Sequence, residues 1–452
     1  MTSRQQRSAI VIGAGMAGLM AAAALSDAFE DVLIIEKDQL PATPMLRKGV
    51  PQGAHVHTFL GYAVAAMDEL LPGIMPRLYA AGAVKIRRNQ DLWFHDSEGP
   101  TPIRDVGIVT PSVTRPLLEH VTRQQVLALA NVRLHDATRM TDFELDTHGR
   151  VVAVMLEKQA QTERLAADLI IECSGRASRL PRWLQSHGFG KVPVQSLKIA
   201  MAYTSGLFRP PPHLAANPWA CLMLAIPPGL RAAYLTPVDG GLWLATMYGR
   251  GGDIAPRDPQ GFVEWSRQLA HSVIHEKLVQ AESVSNLRSY RIPYGNWFRF
   301  DQMARFPRGI LPIGEALTSF NPMYGQGISL SAGQALALRA VLRDGDGKGD
   351  DANHDLASRY FRACEALNSV GWSVMETRDL VYASTTGARP PDLESRWHMG
   401  KALRELAEAD NEIHTLSVRT NHLLESPSVL ARPDIVARAR ALIARADEPP
   451  AR

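Results

Sequence analysis

A glycine-rich turn close to the N-terminus limits the possible folds of this chain more than any other segment. The turn follows an apolar run at residues 9–12 and precedes an alanine-rich segment; it reads Gly13, Ala14, Gly15, Met16, Ala17 and Gly18. In this spacing the first glycine permits a tight turn, the second lets a diphosphate approach the backbone, and the third lets a helix pack on the strand. We therefore predict a strand–turn–helix unit that binds a dinucleotide at the helix N-terminus.

Two later segments narrow the identity of the dinucleotide. Glu36 ends the next apolar run, where a carboxylate can accept hydrogen bonds from a ribose diol and would repel a 2′-phosphate. Far downstream, an apolar strand at residues 309–313 precedes Gly314 and Glu315, and a glycine-rich turn at residues 321–327 leads into a predicted helix. FAD is long enough to need a second helix N-terminus of this kind, so the two segments together predict FAD rather than NAD.

Composition and charge exclude several other classes of protein. The length of 452 residues fits two or three domains, and a net charge of +3 without a basic block gives no reason to expect nucleic-acid binding. Cys173, Cys221 and Cys364 are odd in number and far apart, which argues against a disulfide framework and against a CxxC metal site. We expect a cytoplasmic protein, since neither a signal peptide nor a transmembrane segment is visible.

The hydrophobic pattern divides the chain into three parts. Unbroken apolar runs indicate parallel strands covered on both faces, residues 195–300 carry broken strand-like runs, and the pattern is helical from about residue 355. We predict a discontinuous FAD-binding domain (1–80, 105–185 and 300–345), a substrate-binding sheet domain (81–104 and 186–299) and a C-terminal helical region (346–452). Within these parts we expect helices at 57–71, 116–129 and 329–342, and a β-meander over residues 132–157.

Several motifs resemble those of the FAD-dependent aromatic-hydroxylase superfamily. They are residues 47–52 with His55 and His57, residues 115–119 and 123–125, residues 167–176 and 178–180, and residues 314–327. Within the superfamily the chain most resembles the polyether-antibiotic epoxidases of the monensin and lasalocid type, which are related to squalene epoxidase. The resemblance implies an α/β fold with a Rossmann-like FAD-binding domain of the GR2 type, an inserted mixed β-sheet substrate domain and a C-terminal helical region.

The resemblance also assigns FAD contacts residue by residue. Arg47 and Arg115 would contact the ribityl or diphosphate portion, Glu315 the ribityl hydroxyls, and residues 322–327 the isoalloxazine. The full expected set is Gly13, Ala14, Gly15, Met16, Ala17, Gly18, Glu36, Lys37, Arg47, Lys48, Gln52, Arg115, Gly175, Gly314, Glu315, Pro322, Gly325, Gly327 and Ile328.

Two positions depart from the superfamily pattern. Glu315 stands where aspartate is usual. Ser174 stands where aromatic hydroxylases commonly have an aspartate that contacts both FAD and NAD(P)H. NADPH or NADH as the electron source, used directly or through a separate flavin reductase, therefore remains open.

Substrate contacts are harder to assign, because the second domain carries few motifs. His55, Asn321 and Tyr324 are candidates for the pocket beside the flavin, and no residue is identified as catalytic. Tyr203, Trp219, Trp243 and Tyr294 could line an apolar cavity or belong to the core of the sheet. His55 and His57 lack a third ligand at a suitable spacing, so we predict no metal site.

The resemblance implies a monooxygenase that transfers one oxygen atom from O₂ to an apolar small molecule through a flavin C4a-hydroperoxide. Epoxidation of an olefin in a polyketide or terpenoid-like natural product, as in antibiotic biosynthesis, is the leading interpretation, because no clear protein base is visible. The alternatives are an aromatic or polyketide hydroxylase and a flavin-dependent reductase of the geranylgeranyl-reductase type. A halogenase is less favoured, since the Trp-x-Trp-x-Ile-Pro signature of those enzymes is absent and Trp183, Trp243 and Trp297 stand alone.

Overall fold

A computed structural model describes residues 7–96, 99–215, 219–225, 227–344 and 356–446. The strands are, in chain order, Ser8–Ile12 (β1), Asp31–Ile35 (β2), Val84–Arg87 (β3), Leu92–Asp96 (β4), Gly99–Pro100 (β5), Val109–Ser112 (β6), Val132–His135 (β7), Arg139–Leu145 (β8), Val151–Lys158 (β9), Gln161–Ala166 (β10), Leu169–Glu172 (β11), Val194–Arg209 (β12), Ala220–Met223 (β13), Arg231–Val238 (β14), Leu242–Arg250 (β15), Glu282–Ser283 (β16), Arg288–Phe298 (β17), Ile310–Pro312 (β18) and Thr318–Ser319 (β19). The α-helices are Met16–Leu25 (α1), Gly61–Leu70 (α2), Ile74–Ala80 (α3), Arg115–Leu127 (α4), Leu180–Ser186 (α5), Pro212–Ala215 (α6), Pro259–Trp265 (α7), Val273–Leu278 (α8), Gln326–Arg343 (α9), Leu356–Asp379 (α10), Leu393–Ala409 (α11), Asn411–Asn421 (α12) and Pro433–Ala446 (α13).

The first sheet has five parallel strands in the order β18-β11-β1-β2-β7. Its central strands are the unbroken apolar runs of the sequence, and their side chains are almost entirely buried because helices such as α1 and α9 pack against them. With β1 in the centre, this is the strand order of a dinucleotide-binding fold. The predicted Rossmann-like α/β class is confirmed.

Three local expectations differ from the structure. Helix α2 begins at Gly61 rather than at residue 57, because residues 56–60 form no helical turn and the segment is bound to the second sheet through His55 and Val56, which share hydrogen bonds with Ser205 and Thr246. Helix α9 begins at Gln326, three residues earlier than expected. The meander consists of β8, β9 and β10 only, whereas residues 132–135 form the edge strand β7 of the parallel sheet, where they pair with β2.

The second sheet has nine strands, which lie between β11 and β18 in the chain except for β4 and β5 before them and β19 after them. Its long strand β12 pairs antiparallel with β15 and β17, and β4 pairs parallel with β13, so the sheet is mixed. One face packs on the turn at residues 320–324 and on α10, and the other face is covered by α7 and α8.

The C-terminal helices pack against each other and contact this sheet. Helix α10 packs along α9, and α11 packs against α12 and α13. Arg404 of α11 forms an ion pair with Asp96 at the end of β4, with an N–O distance of 2.6 Å. The predicted domain boundaries stay a prediction, and residues 1–6, 97–98, 216–218, 226, 345–355 and 447–452 of those ranges lie outside the described residues.

Candidate active site

A cavity of about 360 Å³ opens at the carboxyl ends of β1, β2, β11 and β18. Open parallel sheets of this kind bind their ligands at that edge. The expected FAD-binding residues that line it are Gly13, Gly15, Met16, Ala17, Glu36, Lys37, Arg47, Gln52, Arg115, Gly175, Gly314, Glu315, Pro322, Gly325, Gly327 and Ile328. We call this space the first cavity. Segments that are far apart in the sequence therefore meet at one site.

The first glycine turn has the geometry that a bound diphosphate requires. A Cβ atom on Gly13 would lie 2.7 Å from the carbonyl oxygen of Cys173, and one on Gly18 would lie 1.8 Å from the carbonyl oxygen of Gly13. Glycine at these two positions is therefore needed for packing. A Cβ atom on Gly15 would meet nothing within 4 Å, so the space in front of Gly15 and the first N–H groups of α1 is open.

Glu36 anchors this turn from the end of β2. Its side chain is buried and accepts hydrogen bonds from the backbone N–H groups of Ala14 (2.8 Å) and Asp38 (3.0 Å). Arg47 lies 3.1 Å from Glu36 and also pairs with Asp38 and Glu119. Arg47 thus lines the first cavity and is also the centre of a buried cluster of carboxylates. The sequence predicts only the contact of Arg47 to the cofactor. Asp38 was missed and Glu119 was noted only as part of the motif at residues 115–119, because neither carboxylate shows a role in the sequence.

Arg115 is the less neutralised arginine of the pair that was predicted. One Nη donates to Glu119 at 3.4 Å, and Nε is buried without a hydrogen-bond partner. Burial lowers the pKa of this guanidinium, although neighbouring carboxylates oppose the shift. An anion in the first cavity would supply the missing acceptor.

The glycine-rich turn at residues 321–327, which we call the late turn, leads into a second helix N-terminus at the same cavity. Asn321 caps the 3-10 turn at residues 322–324 by accepting a hydrogen bond from Met323 N–H at 3.1 Å. Gly325 follows with φ of +68°, and α9 begins at Gln326. A Cβ atom on Gly327 would meet nothing within 4 Å. The free N–H groups of this first helical turn can stabilise negative charge on a bound group.

Glu315 lies beside Gly175 and forms an ion pair with Arg176 at 2.7 Å. The same guanidinium donates to the carbonyl oxygens of Tyr294 and Phe320, each at 3.0 Å. Tyr294 is therefore held by its backbone, and its side chain is 46% exposed and lines neither cavity described here.

Three histidines near the two cavities are held neutral. We refer to His55, His57 and His422 as the neutral histidines. Burial lowers the pKa of each to about 3, and Arg288, Arg115 and Arg88, respectively, lower it further. His55 shares a hydrogen bond of 2.7 Å between Nδ1 and Ser205 Oγ, and it packs edge-on against Tyr203.

A second cavity, also of about 360 Å³, lies between the mixed sheet and the C-terminal helices. Its lining combines apolar side chains of β4 and β13 with residues of α10, α11 and α12. Thr58 borders both cavities. The late turn divides them, because Asn321, Pro322 and Gly325 line the first cavity whereas Met323, Tyr324 and Gln326 line the second.

Asp379 links the late turn to the C-terminal region. This carboxylate is fully buried, accepts a hydrogen bond from Tyr324 O–H at 2.6 Å and from Asn321 Nδ2 at 3.0 Å, and pairs with the buried Arg250. Burial and this carboxylate raise the pKa of Tyr324. Asn321 and Tyr324, both predicted as pocket residues, therefore use their side chains to hold the turn. Asp379 was missed because it lies in a helix without a recognisable motif.

Sequence similarity agrees with this geometry. A model of the family "FAD dependent oxidoreductase" matches residues 9–182. Protein Rv3254 of Mycobacterium tuberculosis is 31% identical, over 95% of this chain and 92% of its own length. The chain belongs to the FAD-dependent oxidoreductases.

Solved structures show the fold at lower identity. The flavin-dependent brominase Bmp2 has a TM-score of 0.67 at 14% identity, with 97% of this chain and 98% of Bmp2 covered. The p-nitrophenol 4-monooxygenase PnpA of Pseudomonas putida has a TM-score of 0.65 at 17% identity, with 93% and 99% covered. PqsL of Pseudomonas aeruginosa, solved with 2-aminobenzoylacetate, has a TM-score of 0.63 at 15% identity, with 82% and 96% covered.

The residues of the first cavity suit FAD. An open space faces Gly15, a buried guanidinium nitrogen of Arg115 lacks an acceptor, and two helix N-termini border the same cavity. The enzyme is thus a flavoprotein, and none of the helices within the described ranges is long and apolar enough to cross a membrane. The resemblance to polyether epoxidases and the electron source stay predictions.

Besides Tyr294, two of the predicted substrate contacts lie outside both cavities. Trp243 is buried on the far face of the mixed sheet, and Trp219 packs against the same core, where Lys277 lies 4.3 Å above its ring. Neither lines one of the two cavities. Trp243 points away from them because alternate residues of a strand point to opposite faces. Tyr203 does line the first cavity, whereas Lys48 is exposed and lines neither.

Proposed function

We propose that this flavoprotein is a monooxygenase that epoxidises a carbon–carbon double bond of a largely apolar small molecule. The observation that carries the proposal is the adjacency of the two cavities, which share Thr58 and are both lined by residues of the late turn. The first cavity offers helix N-termini and arginines to a long anionic cofactor. The second is bounded by Leu92, Phe94 and Leu222, which suit an apolar substrate.

FAD, when bound and reduced, supplies the chemistry that activates O₂. The residues of the chain would orient the bound cofactor and shield it from water. The N–H groups at the start of α9 would favour negative charge on the pyrimidine edge of the ring, and the Asp379 hydrogen bonds hold that turn in place. The neighbouring sheet core and α10 keep bulk water away from the turn.

Among the described residues, the histidines that line the two cavities, His414 included, have pKa values lowered chiefly by burial, which favours a double bond over a phenol as the acceptor of oxygen. Hydroxylation of a phenol benefits from a group that removes its proton near neutral pH. The neutral histidines have pKa values of about 3, so they are weak bases. Asp96, which lines the second cavity, is engaged by Arg404. Epoxidation by electrophilic oxygen needs no such base.

The overall reaction balances with one external reductant. One oxygen atom of O₂ forms two C–O bonds in place of the π bond of the olefin. The other oxygen leaves as water, with two protons and the two electrons carried by reduced flavin. A reduced nicotinamide dinucleotide would provide those electrons, directly or through a separate flavin reductase.

The test is single turnover of chemically reduced holoenzyme with olefinic natural products and ¹⁸O-labelled O₂. We expect one labelled oxygen atom in an epoxide product and no product without O₂. Oxygen found on an aromatic ring would favour the hydroxylase alternative. Substrate reduction under strict anaerobiosis would refute oxygen transfer and identify a reductase. A brominated product, formed only when bromide is added, would refute it in favour of chemistry like that named for Bmp2.

A further inference from the structure

We propose that the second cavity selects substrates that carry a carboxylate on an apolar body, and that Arg88 and His422 bind this carboxylate. The inference rests on the proposed function for the identity of the cavity as the substrate site. It is carried by the placement of charge and hydrogen-bonding groups around that cavity.

Arg88 is a buried cation without a counter-charge. Its side chain is 4% exposed and donates to two neutral acceptors, the carbonyl oxygen of Phe59 at 2.7 Å and Thr110 Oγ1 at 3.0 Å. No carboxylate of the described chain lies within ion-pairing distance of its guanidinium. A buried charge that is not neutralised is costly, and a bound anion would offset that cost.

His422 presents a hydrogen-bond donor to the same cavity. The backbone N–H of Gly61 donates to His422 Nδ1 at 3.0 Å, so the proton of this neutral imidazole lies on Nε2. The positive charge of Arg88 helps to keep the ring neutral. A neutral Nε2–H beside a guanidinium is a suitable partner for a carboxylate, which accepts from both.

The same short segment positions both groups. Residues 58–61 supply the acceptor for Arg88 at Phe59 and the donor for His422 at Gly61. Thr58, the first residue of this segment, borders the first cavity as well. A carboxylate held here would therefore lie next to the wall that the two cavities share.

Most of the remaining charged side chains along the lining are positive. Basic side chains outnumber acidic ones, since Asp96 is the only carboxylate among the lining residues that the structure describes. Arg250, Arg396 and Arg404 each pair with a carboxylate, whereas Arg88 does not. The field in the cavity consequently favours an anion, while Leu224, Met323 and Trp397 bound the space left for an apolar body.

The test compares undecylenate with its methyl ester, which removes the charge and keeps the olefin. Binding of each to the oxidised holoenzyme is measured by calorimetry and by the change in flavin absorbance. We expect the acid to bind about 10- to 100-fold more tightly than the ester, as for one or two charge-assisted hydrogen bonds. Equal affinities in the wild type would overturn the inference without any variant.

Two substitutions locate the effect. Arg88→Gln should weaken binding of the acid by about 10- to 100-fold and leave the ester within about threefold, while Arg88→Lys should restore part of the preference. His422→Asn keeps an acceptor for Gly61 N–H, removes Nε2–H, and should cost the acid about tenfold. Arg267→Gln, an exposed arginine paired with Glu264 and outside both cavities, is the matched control and should change neither affinity.

The outcomes separate this inference from the proposed function. Preferential binding of the acid without any oxygenated product would leave the carboxylate site standing and refute the monooxygenase. Epoxidation of acid and ester with equal kcat/KM would support the monooxygenase and refute the carboxylate site. A preference for the acid that survives in both Arg88→Gln and His422→Asn would place the anion elsewhere and also refute it.

Discussion

Replacement of Gly15 by alanine should affect cofactor binding and protein stability in opposite directions. Gly15 has φ of −75° and ψ of 179°, which alanine adopts without strain, and its added Cβ atom would meet no protein atom within 4 Å. The apoprotein should therefore fold and gain about 0.4–1 kcal/mol, because alanine lowers the entropy of the unfolded chain. The open space in front of Gly15 is the space that the diphosphate of FAD needs.

The loss of FAD affinity follows from the same geometry. A methyl group there would push the diphosphate away from the free N–H groups at the start of α1. Each hydrogen bond from such a group to a charged acceptor contributes about 1.5–3 kcal/mol. Partial retention of two such bonds gives an expected loss of about 2.7 kcal/mol, or about 100-fold in Kd.

The assay is fluorescence titration of apoprotein with FAD, beside urea unfolding of the apoprotein. Gly400→Ala is the matched control, because Gly400 lies in α11 with no atom within 4 Å of an added Cβ and does not line the first cavity. It should stabilise the chain and leave the FAD affinity unchanged. Gly18→Ala should instead destabilise the apoprotein, since its Cβ would lie 1.8 Å from a carbonyl oxygen. Wild-type FAD affinity in Gly15→Ala, or loss of the folded apoprotein, would refute the reasoning.

Three further predictions concern two buried charged side chains and the neutral histidines. Asp379→Asn leaves Arg250 buried without its carboxylate and should lower the free energy of unfolding by about 3 kcal/mol, measured with urea; a loss below about 1 kcal/mol would contradict the pairing. Arg47→Met should lower both the FAD affinity and the apoprotein stability, the latter by about 3 kcal/mol, whereas an arginine that only binds phosphate would leave apoprotein unfolding unchanged. The neutral histidines have folded pKa values of about 3 against an ordinary value of 6.5, so the unfolded chain binds more protons below pH 6.5. The free energy of unfolding of the apoprotein should be at its full value above that pH and fall by about 2 kcal/mol per neutral histidine by pH 5. His57→Gln should reduce this pH-dependent loss by the contribution of one histidine, as measured by urea unfolding across the pH range.

Local motifs account for most of the cofactor site. The first glycine turn and Glu36 lie within one strand–helix–strand unit, and the late turn lies at one helix start, so short segments of sequence already specify their geometry. The glycine at position 18 is required by the turn itself, because an added Cβ atom would meet the carbonyl oxygen of Gly13. The close contact at Gly13 is made instead with Cys173, at the end of β11, so it depends on how the strands pack. The role of Arg47 was only partly predicted, since its three carboxylates come from separate elements.

The substrate side depended on strand register and on contacts between distant segments. Phe208 pairs with Trp243 and lies five positions from Tyr203 on β12, so Tyr203 and Trp243 face opposite sides of the sheet. The sequence does not show on which side of the sheet either aromatic side chain lies, because the alternation of sides along β12 depends on where a bulge interrupts the strand.

The sequence alone determined that this chain has a dinucleotide-binding turn and a second glycine-rich turn suited to FAD, since each turn lies within one short segment. Only the tertiary structure decided which groups surround the second cavity. Arg88, Asp379 and His422 belong to three segments without motifs, and each acquires its role from a partner in another part of the chain. Burial and charge are properties of the assembled environment, so they appear only when the mixed sheet and the C-terminal helices pack around the late turn.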